Sequence, residues 1–138
     1  MKLLKEIVDF LDADIVLSSS WKSEWYKEPK EKDFQDEFAN ALDKYLAAEG
    51  LKILDKTSDT GWNRGQGILK WLKDHAPESN FIILDDEWYD FDFVNVSGHW
   101  MKTEYIDDNG GLNREIVDSI KKHKDDLLIG NGPYRLLD

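Results

Sequence analysis

The chain has 138 residues, of which 41% are hydrophobic and 12% aromatic, so its composition supports one folded domain and argues against disorder. A formal net charge of −11 disfavours sequence-independent binding to a nucleic-acid backbone, because such binding needs clustered Lys and Arg. The absence of cysteine removes disulfides, thiolate nucleophiles and Cys-based zinc sites.

The opening of the chain predicts neither a signal peptide nor a membrane anchor. Met-Lys-Leu-Leu-Lys resembles the start of a signal peptide, but Glu6 and Asp9 interrupt the apolar run that would have to follow. No stretch approaches the ~20 apolar residues of a membrane span. We therefore expect a cytoplasmic protein whose residues 1–138 form a single domain.

Residues 2–22 predict a helix followed by a short strand. Residues 2–12 carry apolar side chains at helical spacing, which is the pattern of an amphipathic helix. Residues 14–17 predict a buried strand, and Ser18-Ser19-Ser20-Trp21-Lys22 follows where this strand ends. Hydroxyl groups at that position can bind a ligand oxygen and Lys22 adds positive charge, although a serine-rich turn would have the same sequence.

Residues 33–77 predict two further helices with a strand at 51–54 between them. Asp33 is the expected cap of the first helix, whose buried stripe would contain Phe34, Phe38, Leu42, Tyr45 and Leu46. Asn63 is the expected cap of the second helix, with Gln66 completing a capping box. Its buried stripe would contain Ile68, Trp71, Leu72 and His75. Arg64 opposes the dipole of that helix, which indicates either simple exposure or a role towards an anion.

Two adjacent carboxylates follow the apolar run at residues 81–84. That run predicts a strand buried on both faces, and Asp85 and Asp86 come directly after it. Ligands bind beyond the carboxyl ends of strands in open α/β sheets, and a carboxylate pair there is a natural Mg²⁺ ligand. The alternative is that Asp85 and Asp86 only begin a turn.

The remaining residues predict a strand, a helix and a tail. Residues 99–105 have a strand-like composition, and Asn113 is expected to cap the last helix. The tail at 124–138 contains residues 127–129, a possible added strand. Alternating helices and strands predict a mostly parallel sheet covered by helices, with Ser18, Arg64, Asp85 and Asp86 on one rim.

Several segments, in this order and spacing, resemble one branch of the haloacid dehalogenase (HAD) superfamily, the HAD domain of Swiss Army Knife RNA-repair proteins. They are residues 13–22, 63–72, 82–86, 101–103 and 111–112. The resemblance covers roughly residues 3 to 122. It implies a three-layer, Rossmann-like α/β fold with helices on both faces of the sheet. It also implies Mg²⁺-dependent hydrolysis of phosphomonoesters, including nucleic-acid ends, through an aspartyl-phosphate.

The resemblance assigns roles to individual residues. Ser18 would orient the phosphoryl group, and Arg64 would stabilise charge on its oxygens. Asp85 and Asp86 would hold Mg²⁺. Ser19 and Lys22, which adjoin Ser18, are the expected substrate-binding residues.

The family's nucleophile motif, Asp-x-Asp-Gly on an N-terminal strand, has no clear counterpart. Residues 10–17 imitate it, but Asp12 lies only six residues before Ser18 and Ile15 stands where the family has Gly. We therefore expect the nucleophile to be absent and the activity to be impaired or lost, with Asp12 and Asp14 as the alternative nucleophile pair. A truncated fragment of an active phosphatase is a further alternative.

A missing nucleophile strand would leave a gap in the sheet, because in the family that strand is central. Residues 127–129, residues 91–94, a second copy of the chain or a protein partner are the candidates to fill it. The competing functional hypothesis is a non-catalytic, acidic protein-binding module that uses exposed tryptophans at Trp21, Trp25 and Trp88, and a nucleic-acid mimic is a third.

Overall fold

The computed structural model describes residues 1–105 and 111–132, which form helices and short parallel strands. The helices are α1 (Lys2–Leu11), α2 (Glu37–Ala48), α3 (Arg64–His75), α4 (Arg114–Lys122) and α5 (Lys124–Leu128). The strands are β1 (Ile15–Leu17), β2 (Ile53–Lys56), β3 (Ile83–Asp85) and β4 (Trp100–Lys102). Single 3₁₀ segments lie at Ser20–Glu24, Pro29–Phe34 and Ser97–His99. None of the described helices has the length and apolar composition that crossing a membrane requires.

The strands form two separate two-stranded sheets. β1 pairs with β2, and β3 pairs with β4, both in parallel. The predicted α/β class and the parallel pairing are therefore present. The three-layer Rossmann-like arrangement stays a prediction, because no strand among the described residues joins the two pairs into one sheet.

β1 and β3 each have one edge without a partner strand among the described residues. The Leu17 carbonyl accepts from the Thr57 amide at 3.0 Å, and the Asp85 carbonyl accepts from the Thr103 amide at 2.9 Å. Backbone groups of successive residues point to opposite edges of a strand, so those of Val16 and Leu84 point away from the paired edges. No described strand pairs with either of these free edges.

Three hydrophobic clusters form the core, and α1 connects two of them. One cluster lies among α1, α4, α5 and β4, and the second lies between α2 and the β1–β2 sheet. Leu4 of α1 packs against both, so the same helix covers both sheets. Ile83 belongs to the third cluster, with Phe91 and Trp100, because alternate residues of β3 face opposite sides.

The second helix begins later than predicted. Asp36, not Asp33, caps α2 by accepting from the Ala39 amide at 2.8 Å, because the chain after Pro29 first makes a 3₁₀ segment. Its buried residues are Ala39, Leu42 and Leu46. Three residues of the predicted stripe are exposed instead, namely Phe34, Phe38 and Tyr45.

Neither intrachain candidate for the gap forms a strand. Lys124–Leu128 is helix α5, in which Leu127 is fully buried, so the predicted added strand at 127–129 is wrong. Residues 91–94 form a turn that buries Phe91. Residues 133–138 of the tail lie outside the described part of the chain.

Candidate active site

The structure brings Arg64 and Asp85 into direct contact. Asp85 is the last residue of β3 and Arg64 is the first residue of α3. Arg64 Nη1 donates to Asp85 Oδ2 at 2.6 Å, and the two side chains are only 6% and 5% exposed. The cation predicted to act on an anion therefore meets one of the predicted metal-binding carboxylates, in a site shielded from water.

Burial dominates the electrostatics of Asp85. It raises the pKa of the carboxyl, the hydrogen bond and charge of Arg64 offset only part of that rise, and Asp86 raises the pKa further. The backbone of Asp85 is also held, because Trp100 Nε1 donates to its carbonyl at 2.9 Å. The carboxylate is thus fixed in place but costly to ionise.

Arg64 also contacts an aromatic pair. Its guanidinium carbon lies 3.8 Å from the centroid of the Tyr89 ring, and Tyr89 packs against Trp62 with the ring centroids 4.8 Å apart. Arg64 Nε is buried and has no hydrogen-bond acceptor in the described residues. One donor of the guanidinium therefore lacks an acceptor among the described residues.

The cap of α3 comes from a residue that the sequence did not indicate. Asp90 accepts from the Gly65 amide at 2.5 Å and from the Gln66 amide at 3.1 Å, whereas the predicted cap, Asn63, makes no side-chain bond to the helix. The N-terminal turn of α3 is consequently its buried part. In the predicted stripe, Ile68, Trp71 and Leu72 are half-buried and His75 is exposed.

Lys22 is engaged in a buried ion pair. Lys22 Nζ donates to Asp59 Oδ2 at 2.7 Å and to the Ser18 carbonyl at 3.2 Å, and Thr57 Oγ1 donates to Asp59 Oδ1 at 2.7 Å. Asp59 was not predicted as a site residue, although it lies in the loop after β2, as Ser18 lies after β1. A methyl group on Gly67 would overlap the Asp59 carboxylate, so this helix position must stay small.

Ser18 and Ser19 follow the carboxyl end of β1. Ser18 is half-buried and supplies its carbonyl to Lys22. Ser19 Oγ is buried and, like Arg64 Nε, has no hydrogen-bond partner in residues 1–105 and 111–132. Buried donors without acceptors are rare in folded proteins and call for an explanation.

The two alternative nucleophiles lie at the opposite end of β1. Asp12 ends α1 in the left-handed conformation, with φ 51° and ψ 53°, and Asp14 immediately precedes the strand. Both are exposed. Asp14 and Ser18 are four residues apart along an extended segment, or roughly 13 Å at about 3.3 Å per residue.

Residues 1–117 match the family model described as the HAD domain in Swiss Army Knife RNA repair proteins. The chain belongs to this family. No match was found among curated proteins or among solved structures. The HAD family is generally Mg²⁺-dependent.

The donor set of this HAD domain fits Mg²⁺. Asp85 and Asp86 are adjacent carboxylates at a strand end, and a bound cation would favour the ionised form of Asp85, whose pKa burial raises. Within the described residues no group of three or more His, Cys, Asp or Glu is arranged to hold a metal. Two carboxylates suffice for Mg²⁺, which commonly fills its remaining positions with water and substrate phosphate.

The tryptophans of the competing hypothesis do not form one exposed surface. Trp25 is buried, and its Nε1 donates to Asp43 Oδ1 at 2.9 Å, so its predicted exposure is wrong. Trp21 is half-buried and packs against Phe38. Trp88 alone of the three is strongly exposed.

Proposed function

We propose that this HAD domain binds phosphomonoesters at the rim formed by Ser18, Ser19, Arg64, Asp85 and Asp86. The observation that carries the proposal is that two buried donors, Ser19 Oγ and Arg64 Nε, have no acceptor among the residues that the structure describes. A phosphate group offers several acceptor oxygens and negative charge, which would satisfy both donors.

Each residue has a role that follows from its chemistry. The hydroxyls of Ser18 and Ser19 donate to phosphoryl oxygens, and Arg64 neutralises their charge. Asp85 and Asp86 hold Mg²⁺, which when bound supplies further charge neutralisation at the phosphate. With a net charge of −11, the chain is better suited to the phosphorylated end of a nucleic acid than to a long stretch of its backbone.

Hydrolysis through an aspartyl-phosphate also needs a free carboxylate beside the phosphorus. Asp12 and Asp14 lie at the far end of β1, and Asp85 is bonded to Arg64. We therefore propose that the described residues bind a phosphomonoester without turning it over.

The free edges of β1 and β3 indicate what would complete the site. A further parallel strand beside Val16 and Leu84 would satisfy their backbone groups. A carboxylate at the end of that strand would then reach the rim. A second copy of the chain or a protein partner could supply the strand, and hydrolysis would depend on it.

Calorimetric titration with phenyl phosphate in the presence of Mg²⁺ tests the binding site. We expect saturable binding that Ser19→Ala weakens about tenfold or more, since a hydrogen bond to a charged group contributes ~1.5–3 kcal/mol. Ser23→Ala is the matched control, because the Ser23 hydroxyl is exposed and donates to the carbonyl of its near neighbour Ser20. Equal losses in the two variants, or no binding by the parent, would contradict the proposal.

Turnover of p-nitrophenyl phosphate tests the second part of the proposal. We expect the 138-residue chain to hydrolyse it no faster than buffer containing Mg²⁺. Hydrolysis that saturates with substrate and disappears in Asp12→Asn would show that the nucleophile lies within this chain.

A further inference from the structure

An aromatic pair, made of exposed Trp62 and half-buried Tyr89, adjoins the proposed phosphate site. Trp62 is 57% exposed although it packs against Tyr89, with 4.8 Å between the ring centroids. Tyr89 has a φ of +42°, an uncommon backbone conformation for a bulky residue. Such strain persists where the surrounding structure fixes it, and it is frequent in ligand-binding segments.

Direct contacts connect this pair to the buried cation. The guanidinium of Arg64 lies against the Tyr89 ring at 3.8 Å, and Arg64 is only 5% exposed. Its Nε has no acceptor in the described part of the chain. A ligand whose phosphate reached Arg64 would therefore bring its neighbouring groups to the Trp62–Tyr89 pair.

The planes of the two rings are inclined at 52°, so a base can stack on only one of them, and Trp62 is the exposed one. We propose that Trp62, held in place by Tyr89, is a stacking platform for the base of a terminal nucleotide whose phosphate binds at Ser19 and Arg64. The proposal rests on the proposed function and specifies its substrate class. Aromatic rings stack on any nucleobase, so the platform favours nucleotides over other phosphomonoesters without reading sequence. Stacking requires no positive charge, which suits the acidic surface of this chain.

A purely structural role for the pair makes a different prediction. The two rings would then only shield the Arg64–Asp85 ion pair from water. Removing the indole would lower stability and weaken every phosphate ligand equally. A comparison of ligands with and without a base separates the two roles.

Isothermal titration calorimetry with adenosine 5′-monophosphate and ribose 5-phosphate, both with Mg²⁺, provides this comparison. Stacking of one base corresponds to roughly 5- to 150-fold in affinity. We expect the nucleotide to bind tighter than the sugar phosphate by this factor. Trp62→Ala should remove the difference by weakening nucleotide binding alone, and Trp62→Phe should retain most of it.

Tyr45→Ala is the matched control, since Tyr45 is an exposed aromatic residue of α2 and should leave both affinities unchanged. Circular dichroism checks that each variant is folded. If Trp62→Ala does not fold, the affinities of the conservative Trp62→Phe variant for the two ligands provide the test. Equal affinities of the parent for the two ligands, or equal losses of both in Trp62→Ala, would overturn the platform and leave the phosphate site standing. Failure of both ligands to bind the parent would overturn both proposals.

Discussion

Replacing Arg64 by Met should destabilise the fold strongly, because it leaves Asp85 buried without its partner. The 2.6 Å contact joins two side chains that are 6% and 5% exposed. Removing one member of such a pair costs about 3–5 kcal/mol, whereas removing an exposed pair costs far less. At about 4 °C per kcal/mol for a domain of this size, the midpoint of thermal unfolding should fall by roughly 12–20 °C.

The loss should also depend on pH. Without the cation, the pKa of Asp85, which burial already raises, should rise further. A carboxyl with a raised pKa in the folded state contributes stability that is fully present below its unfolded pKa and is lost as the pH rises through the folded value. The deficit of Arg64→Met relative to the parent should therefore be larger at pH 8 than at pH 5.

Urea unfolding followed by tryptophan fluorescence measures both effects. The matched control is Arg114→Met, because Arg114 Nη1 lies 2.7 Å from Glu6 Oε2 in an exposed pair and its loss should change little. The double variant Arg64→Met/Asp85→Leu should recover most of the stability, since an apolar pair leaves no buried charge. A loss in Arg64→Met no greater than in Arg114→Met would refute this account of the ion pair.

Two further substitutions test the environment of the site. Gly67→Ala should lower the free energy of unfolding by about 1–3 kcal/mol, because its methyl group would push Asp59 away from Lys22; unchanged urea unfolding would show that Asp59 moves at no cost. Burial raises the pKa of Asp43, but hydrogen bonds, led by the one from Trp25, outweigh burial, and the pKa is lowered. The ionised carboxylate therefore stabilises the fold above its unfolded pKa, and this stabilisation is lost as the pH falls through the folded pKa. The deficit of Asp43→Asn in urea unfolding should therefore be full at pH 7 and shrink in acid, and a deficit independent of pH would contradict the assignment.

The sequence was informative where local pattern decides structure. Unbroken apolar runs located the strands that end before Ser18 and at Asp85, and parallel pairing followed from the alternation of helices and strands. The position of Arg64 against its helix dipole left two alternatives, simple exposure or a role towards an anion, and its buried contact with Asp85 rules out exposure. These inferences required only the positions of strand ends and of one helix start, which the local sequence pattern indicates.

Contacts between distant loops could not be predicted in the same way. Asp90 caps α3 from 25 residues beyond Gly65, and Asp59 meets Lys22 across 37 residues. Their roles depend on how the loops pack, and an isolated Asp in a loop carries no periodic signal. The exposure predicted for Trp25 was wrong for a related reason, because its ring packs against residues of α2 and β2 that are distant in the sequence.

The Arg64 Nε–H resonance in a ¹H–¹⁵N NMR spectrum tests the central claim most directly. Its assignment follows from the peak that disappears in Arg64→Lys. Titration with inorganic phosphate in the presence of Mg²⁺ should shift this resonance saturably, because the buried Nε–H gains the acceptor that the described residues do not supply. A resonance that stays in place while phosphate binds elsewhere, or does not bind, would contradict a phosphate site at this rim.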